Sequence, residues 1–168
     1  VSGSLRKGGA VTIIEPALLL TSRRLLGIRD ILVKRGFPIL APCLFKEDCP
    51  ALKKEGNTCH TDRSWEPPQM VRNIAKAAGI NKDALKMSFL TIAPKGGKWP
   101  FLPEGRIFRI VSEILESNKR LRLVGCGPEG RIGLSLMERN MTDDNSLFLR
   151  LKRGDVVRIT GAEERESG

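Results

Sequence analysis

Residues 7–40 read KGGAVTIIEPALLLTSRRLLGIRDILVKRGFPIL, and the order of patterns within them sets the expected fold. Lys7-Gly8-Gly9 is a turn signal that leads into a β-branched run, Val11 to Ile14, of the kind that forms a buried strand. Pro16 stops that strand. Leu18, Leu19, Leu25, Leu26, Ile28, Ile31 and Leu32 then cluster at helical spacing, and Gly36 stands where a helix ends. FPILAPC, from Phe37, is a second short extended piece. Turn, strand, helix and strand in this order predict one step of an α/β sheet.

Downstream, residues 41–64 show no periodicity and predict a long cysteine-bearing loop. A loop of that length in a small domain needs something to tie it down. EPPQMVRNIAKAAGINKD turns helical after two prolines, with Met70, Ile74 and Ala78 on one face and Gly79 at its end. KMSFLTIAP predicts a strand over Phe89 to Ile92. After the Pro- and Gly-rich APKGGKWPFLPEG, short alternating segments separated by glycine turns predict a small β-rich module. The expected organisation is therefore an α/β region over 1–103, with its cysteine loop at 41–64, and a β-rich module over 104–168 whose last residues, 163–168, form a frayed tail.

The chain has 168 residues, enough to bury roughly two-thirds of its unfolded surface, so a metal or disulfide is not needed as its main support. It carries 29 basic and 19 acidic residues, a formal charge of +10, which favours an acidic partner, RNA before a membrane surface. The absence of tyrosine argues against an aromatic recognition surface. The apolar run AVTIIEPALLL is interrupted by Glu15 and Pro16 and is too short for a bilayer, and no secretory leader is visible. Reduced, intracellular thiols are expected.

Of the four cysteines, Cys43, Cys49 and Cys59 crowd into APCLFKEDCPALKKEGNTCH at residues 41–60, beside the single histidine, His60, and Cys126 follows much later in LVGCGPEG. The spacing lacks the tight Cys-x2-Cys knuckle of zinc ribbons and the compact pattern of bacterial ferredoxins. Four thiols suit tetrahedral zinc or an iron–sulfur cluster, and argue against magnesium or calcium. Pro42 and Pro50 place rigid turns beside two of them. Buried structural cysteines and a redox or nucleophilic role stay open at this point, as does a Cys3His zinc site using His60. Phosphate-contacting candidates are Arg23, Arg24, Arg29, Lys34 and Arg35 near the first helix, and Lys53, Lys54 and Arg63 around the loop. The β-rich module adds Arg106, Arg109, Lys119, Arg120, Arg122, Arg131, Arg139, Arg150, Lys152, Arg153 and Arg158.

In this order the motifs resemble the methyltransferase-like proteins that assist assembly of the mitochondrial small ribosomal subunit, with their bacterial and archaeal relatives. KGGAVTIIEP is similar to that family's Pro-Gly-Gly turn, strand and Glu-Pro pair. APCLFKEDCPAL resembles its Ala-Pro-Cys-Pro-His segment leading to Cys-Pro, and TCHTDR its Trp-Cys-His-Phe stretch. MSFLTIA sits where the family has a Phe-Ser-Tyr-like strand. GCGPEGRI with KRGDVV resembles Cys-Thr-Pro-Glu-Gly and the Trp-Gly-Asp ending. The likeness covers nearly the whole chain. It departs at Leu44 and Phe45, where Pro-His is usual, at Thr58 in place of tryptophan, and at Lys152-Arg153 before Gly154-Asp155.

The resemblance implies a [4Fe-4S] cluster on Cys43, Cys49, Cys59 and Cys126, with zinc as the alternative and His60 as a neighbour of a ligand. It also implies the carboxyl-terminal part of a Rossmann-like S-adenosylmethionine methyltransferase fold. Glu15 and Pro16 would line the cofactor cleft once a missing amino-terminal half or a partner chain completed it. The expected function is a small-subunit assembly or binding factor that docks on rRNA and ribosomal proteins. It sits in the mitochondrial matrix of a eukaryote and otherwise in the cytoplasm. The alternatives are an S-adenosylmethionine-dependent RNA methyltransferase and a zinc-stabilised RNA-binding module. No catalytic residue is assigned.

Overall fold

The computed structural model describes residues 5, 6, 8–80 and 83–164; Lys7 of the expected turn and residues 165–168 of the expected tail lie outside them. Strand β1 (Val11–Pro16) alternates half-buried and exposed positions, as expected of a strand covered on one face only. Its end and the start of helix α1 (Leu19–Lys34) share one carbonyl: Pro16 accepts from the Leu18 amide at 2.8 Å and from the Thr21 hydroxyl at 2.6 Å. The helix stops at Gly36, whose φ of 82° suits only a residue without a Cβ. The Gly36 amide donates to Val33 at 2.9 Å and the Phe37 amide to Leu32 at 3.0 Å, satisfying two carbonyls at the helix end.

Helix α1 buries Ser22, Leu25, Leu26 and Arg29, a stripe at i, i+3, i+4 and i+7. Leu18, Leu19, Ile28 and Ile31, expected in the same apolar cluster, are exposed. Leu25 packs with Ile39, Leu90 and Ile92 to form the first core. Helix α2 (Gln69–Ala77) closes with amide donations from Gly79 and Ile80. Its expected apolar face is turned outward, since Met70 is 71% and Ile74 61% exposed, and only Ala75 is buried.

The sheet around β1 corrects the Rossmann-like expectation. Strand β4 (Ala84–Ile92) lies in the middle and is antiparallel to every neighbour. On one edge it pairs with β1, from Val11↔Ile92 to Pro16↔Met87. On the other edge it pairs first with β2 (Ile39–Ala41), opposite Ile92 and Thr91, and then with β3 (Thr61–Ser64), opposite Met87 to Ala84. Because β1 and β2 are both antiparallel to β4, they run in the same direction, as strand–helix–strand predicts. A third strand is inserted between them, so no parallel pair forms and no cleft opens at the carboxyl ends of parallel strands. The expected fold class, a methyltransferase-type parallel sheet, is therefore overturned.

β2 and β3 are two halves of one edge strand along β4, and residues 42–60 are the excursion between them. The expected 41–64 loop is thus shorter than predicted and holds a short 3-10 turn at Pro50–Lys53. This explains how a long irregular segment is tolerated: both its ends are pinned to the same strand.

The second sheet contains β5 (Arg106–Ile110), β6 (Leu115–Ser117), β7 (Arg120–Gly127), β8 (Gly130–Met137) and β9 (Val156–Ile159), again with antiparallel pairs. β8 runs the full length of one edge of β7, while β6 and β5 share the other, and β9 adds outside β5. Ile107, Phe108, Ile110, Leu121 and Leu123 are its buried apolar side chains. Gly127 is required by close approach, because a Cβ there would lie 2.6 Å from the Ile107 carbonyl and 2.8 Å from the Phe108 ring. Among the described residues, no helix is long and apolar enough to cross a membrane.

Candidate cysteine pocket

The 42–60 excursion is held from beneath by α1. Arg23 donates to the carbonyls of Lys54 at 3.0 Å and Asn57 at 3.2 Å. Arg29, 1% exposed, donates to the carbonyls of Phe45, at 2.5 Å, and Glu47, and to Asp30 at 2.7 Å. The Phe45 ring lies against its guanidinium, 5.3 Å from the ring centroid. Burying a guanidinium is costly without partners, and here the two Nη groups are spent on loop carbonyls and Asp30.

The backbone of each loop cysteine is fixed in turn. Asp30 accepts the Cys49 amide at 3.1 Å on either oxygen. The Cys59 amide donates to the Ser22 hydroxyl at 3.2 Å, and the Cys59 carbonyl accepts from Ser88 at 2.7 Å. Ser22 and Ser88 are fully buried on α1 and β4, so the first sheet and its helix grip this residue from both sides. Cys49 packs with Leu26 and Ala51, with Cys59 against them, and Cys43 packs on the first core.

The fourth thiol comes from the second sheet. Arg109 on β5 and Arg131 on β8 stand directly opposite Cys126 on its two edges, forming one cross-strand row with all three side chains on the same face. Arg109 Nε donates to the Pro42 carbonyl at 2.5 Å, and Arg131 donates to the Thr58 carbonyl at 2.5 Å. Pro42 and Thr58 immediately precede Cys43 and Cys59. The outcome is a largely apolar cavity lined by Cys43, Cys49, Cys59 and Cys126 with Leu26, Phe45, Arg109 and Arg131. All four cysteines are free thiols.

Burial keeps these thiols protonated. Cys43, Cys59 and Cys126 are each pushed up to about 11 by desolvation, which Arg29 opposes at Cys43 and Arg131 opposes at Cys59 and Cys126. Cys49 is also raised by burial. Neutral thiols pack as small apolar side chains. Consistently, among the described residues no three His, Cys, Asp or Glu side chains stand in a metal-holding arrangement. The expectation of a cysteine-rich metal loop as a ready-made element of the fold is therefore corrected. The thiols share a cavity but are not arranged as a ligand set. Their raised pKa values also argue against a nucleophilic cysteine.

His60 shares its Nδ1 with the Thr58 hydroxyl at 3.2 Å and lies 3.9 Å from Asp62 through Nε2. Burial, followed by the nearby Arg153, pulls its pKa below the ordinary value. Glu15 is bound by Arg24 at 3.1 Å, and Pro16 serves the start of α1, so their visible roles are local.

Several arginines expected on a phosphate-facing surface are drawn inward instead. Arg29, Arg109 and Arg131 hold the cysteine loop, and Arg153 binds Asp62 at 3.2 Å and Glu113 at 3.3 Å. Arg106 is occupied by Glu129 and Glu164, and Lys34 by Asp48. Arg35, Lys53, Lys54, Arg63, Lys119, Arg122, Arg139, Arg150, Lys152 and Arg158 remain exposed. Sequence reading missed the structural roles of Ser22, Arg29, Asp30 and Ser88. For Ser22 and Arg29 a signal existed, since both fall on the Leu25–Leu26 stripe of α1.

Fold and site together define a class: a basic α/β protein of antiparallel sheets whose halves meet at a thiol-lined cavity. The model of the family described as Mitochondrial small ribosomal subunit Rsm22 matches residues 4–153, and the chain belongs to that family. That match includes every cysteine and agrees with the resemblance carried by the sequence motifs, and the mitochondrial placement stands in the family's own description. No curated protein matches the chain.

Proposed function

We propose that the chain acts as a small-ribosomal-subunit assembly or binding factor that docks on rRNA, and that Cys43, Cys49, Cys59 and Cys126 hold a [4Fe-4S] cluster. The observation that carries the cluster assignment is that a single cavity is lined by all four thiols, three from the excursion and one from β7. The donor chemistry suits such a group, and ligation would draw into a ligand set four thiols that the metal-free chain only gathers in one cavity. The thiols are free, and Arg29, Arg109 and Arg131 bring positive charge against the thiolates that ligation requires. The buried Nε atoms of Arg29 and Arg131 have no hydrogen-bond partner, so donors remain available beside the sulfurs.

When bound, the cluster supplies iron sites for the thiolates and so a cross-link between the excursion and the second sheet. The chain's own residues do the rest. Ser22, Asp30 and Ser88 fix the backbone at the loop cysteines, and the arginines offset charge. In that role no bond is made or broken in a substrate, and no side chain is assigned to methyl transfer.

The rRNA reading is supported by the net charge of +10 and by the exposed cations that remain after the inward-turned arginines are set aside. Its test is a titration of small-subunit rRNA at varied salt. Contact with roughly six to ten phosphates predicts an affinity loss of about a thousandfold or more between about 50 and 200 mM salt. Binding that is absent, or indifferent to salt, would contradict the reading.

A further inference from the structure

The row Arg109–Cys126–Arg131 has a regularity that charge compensation alone does not require. Each arginine reaches past Cys126 to the carbonyl directly preceding a loop cysteine, Pro42 before Cys43 and Thr58 before Cys59. These carbonyls lie at the two ends of the 42–60 excursion, so both of its ends are tied to the same strand row. Arg109 is further fixed by donating Nη1 to the Gly154 carbonyl at 2.6 Å, which connects the turn before β9 to the same point. Arg131 keeps a buried Nε with no partner.

We propose that Arg109 and Arg131 are positioning residues that latch the cysteine excursion onto the second sheet, aligning Cys43 and Cys59 with Cys126, and that their charge sets the electrostatic environment of the bound cluster. The latch stands on the hydrogen bonds and register alone. The second clause rests on the proposed assignment of the four cysteines as cluster ligands.

The fork geometry matters for the latch. A guanidinium donates in two directions, and Arg109 uses this to hold Pro42 and Gly154 at once. A lysine carries the same charge as a single compact ammonium. At Arg109 a lysine variant therefore separates latching from charge, while at Arg131, which makes one such bond, lysine tests charge alone.

The test uses Arg109→Gln, Arg131→Gln, Arg109→Lys and Arg131→Lys, with exposed Arg139→Gln as control. The first readout is amide hydrogen exchange across residues 42–60 in the metal-free chain. The latch predicts exchange at least about tenfold faster in the glutamine variants, with strands β7 and β8 unchanged and the control like the parent. The second readout is the reduction potential of the iron-loaded protein. Losing a cation beside the sulfurs disfavours the added electron, so glutamine lowers the potential while lysine restores it toward the parent value.

Unchanged exchange in a folded glutamine variant overturns the latch, whatever the iron content. Faster exchange in a chain that never loads iron upholds the latch and removes the cluster assignment. A potential unmoved by either glutamine substitution overturns the electrostatic clause. If Arg109→Gln does not fold, Arg109→Lys gives the exchange readout, because it loses the fork while keeping the charge; if Arg131→Gln does not fold, the latch is judged on the Arg109 variants.

Discussion

Arg29 shows how a single side chain joins the helix to the site. Its guanidinium is 1% exposed and ties Asp30 and the Phe45 and Glu47 carbonyls together, and Asp30 in turn holds the Cys49 amide. Replacing it with methionine leaves a half-buried carboxylate and two carbonyls without their donor. The expected cost is about 3–5 kcal/mol, read from urea unfolding of Arg29→Met. The thiols give a second residue-scale expectation. Cys43, Cys59 and Cys126 rise from the ordinary value of 9.0 to about 11 on folding of the metal-free chain. Between these values the native state binds more protons than the unfolded state, so stability falls as pH rises. Unfolding midpoints should be level up to about pH 9 and drop between about pH 9 and 11, and a Cys43→Ser, Cys59→Ser, Cys126→Ser triple variant should lose most of that slope. A midpoint that rises over this range would show that the thiols are not buried as described.

At the scale of elements, Gly127 decides whether β7 and β5 close over Phe108. Alanine there meets the Ile107 carbonyl at 2.6 Å, and backbone cannot yield as a flexible side chain does. Gly127→Ala should cost about 1–3 kcal/mol, visible as a lowered melting temperature, and should disturb Cys126 beside it. The same scale separates what was legible in the sequence from what was not. β1, α1 and its stop at Gly36 could be read because their signals are local: a β-branched run, a helical repeat and a glycine at the end. The strand read at Phe89 to Ile92 is real but begins earlier, at Ala84, because its first half is half-exposed and carries no continuous apolar run. What could not be read is that β4 inserts between β1 and β2. Strand partners are set by residues far apart in the chain, and a strand–helix–strand order is compatible with a neighbouring or an interrupted pairing. The four cysteines that line one cavity could be singled out in the sequence, whereas the row placing Arg109 and Arg131 beside Cys126 depends on register and has no local signature. Arg29 does have one: a charge on the buried helical stripe of Leu25 and Leu26, which sets it apart from the surface arginines.

Over the whole molecule, the two sheets meet through the excursion between β2 and β3, with Arg109 and Arg131 reaching across from the second sheet. This arrangement makes the cavity both a junction and the site of the proposed cofactor. It also divides the positive charge into an inward set that organises the thiols and an exposed set available to phosphate. Substituting exposed cations such as Arg139 and Arg150 should weaken rRNA binding and lower its salt slope by about one for each phosphate that is no longer neutralised, leaving iron content unchanged. The central claim, that Cys43, Cys49, Cys59 and Cys126 together hold a cluster, is tested most directly by iron, sulfide and zinc analysis of anaerobically purified protein, with its visible spectrum. The account predicts about four irons and about four sulfides per chain with a broad brown absorbance, abolished when any one of the four cysteines becomes serine. Zinc without sulfide, or no metal in a folded chain, would contradict it.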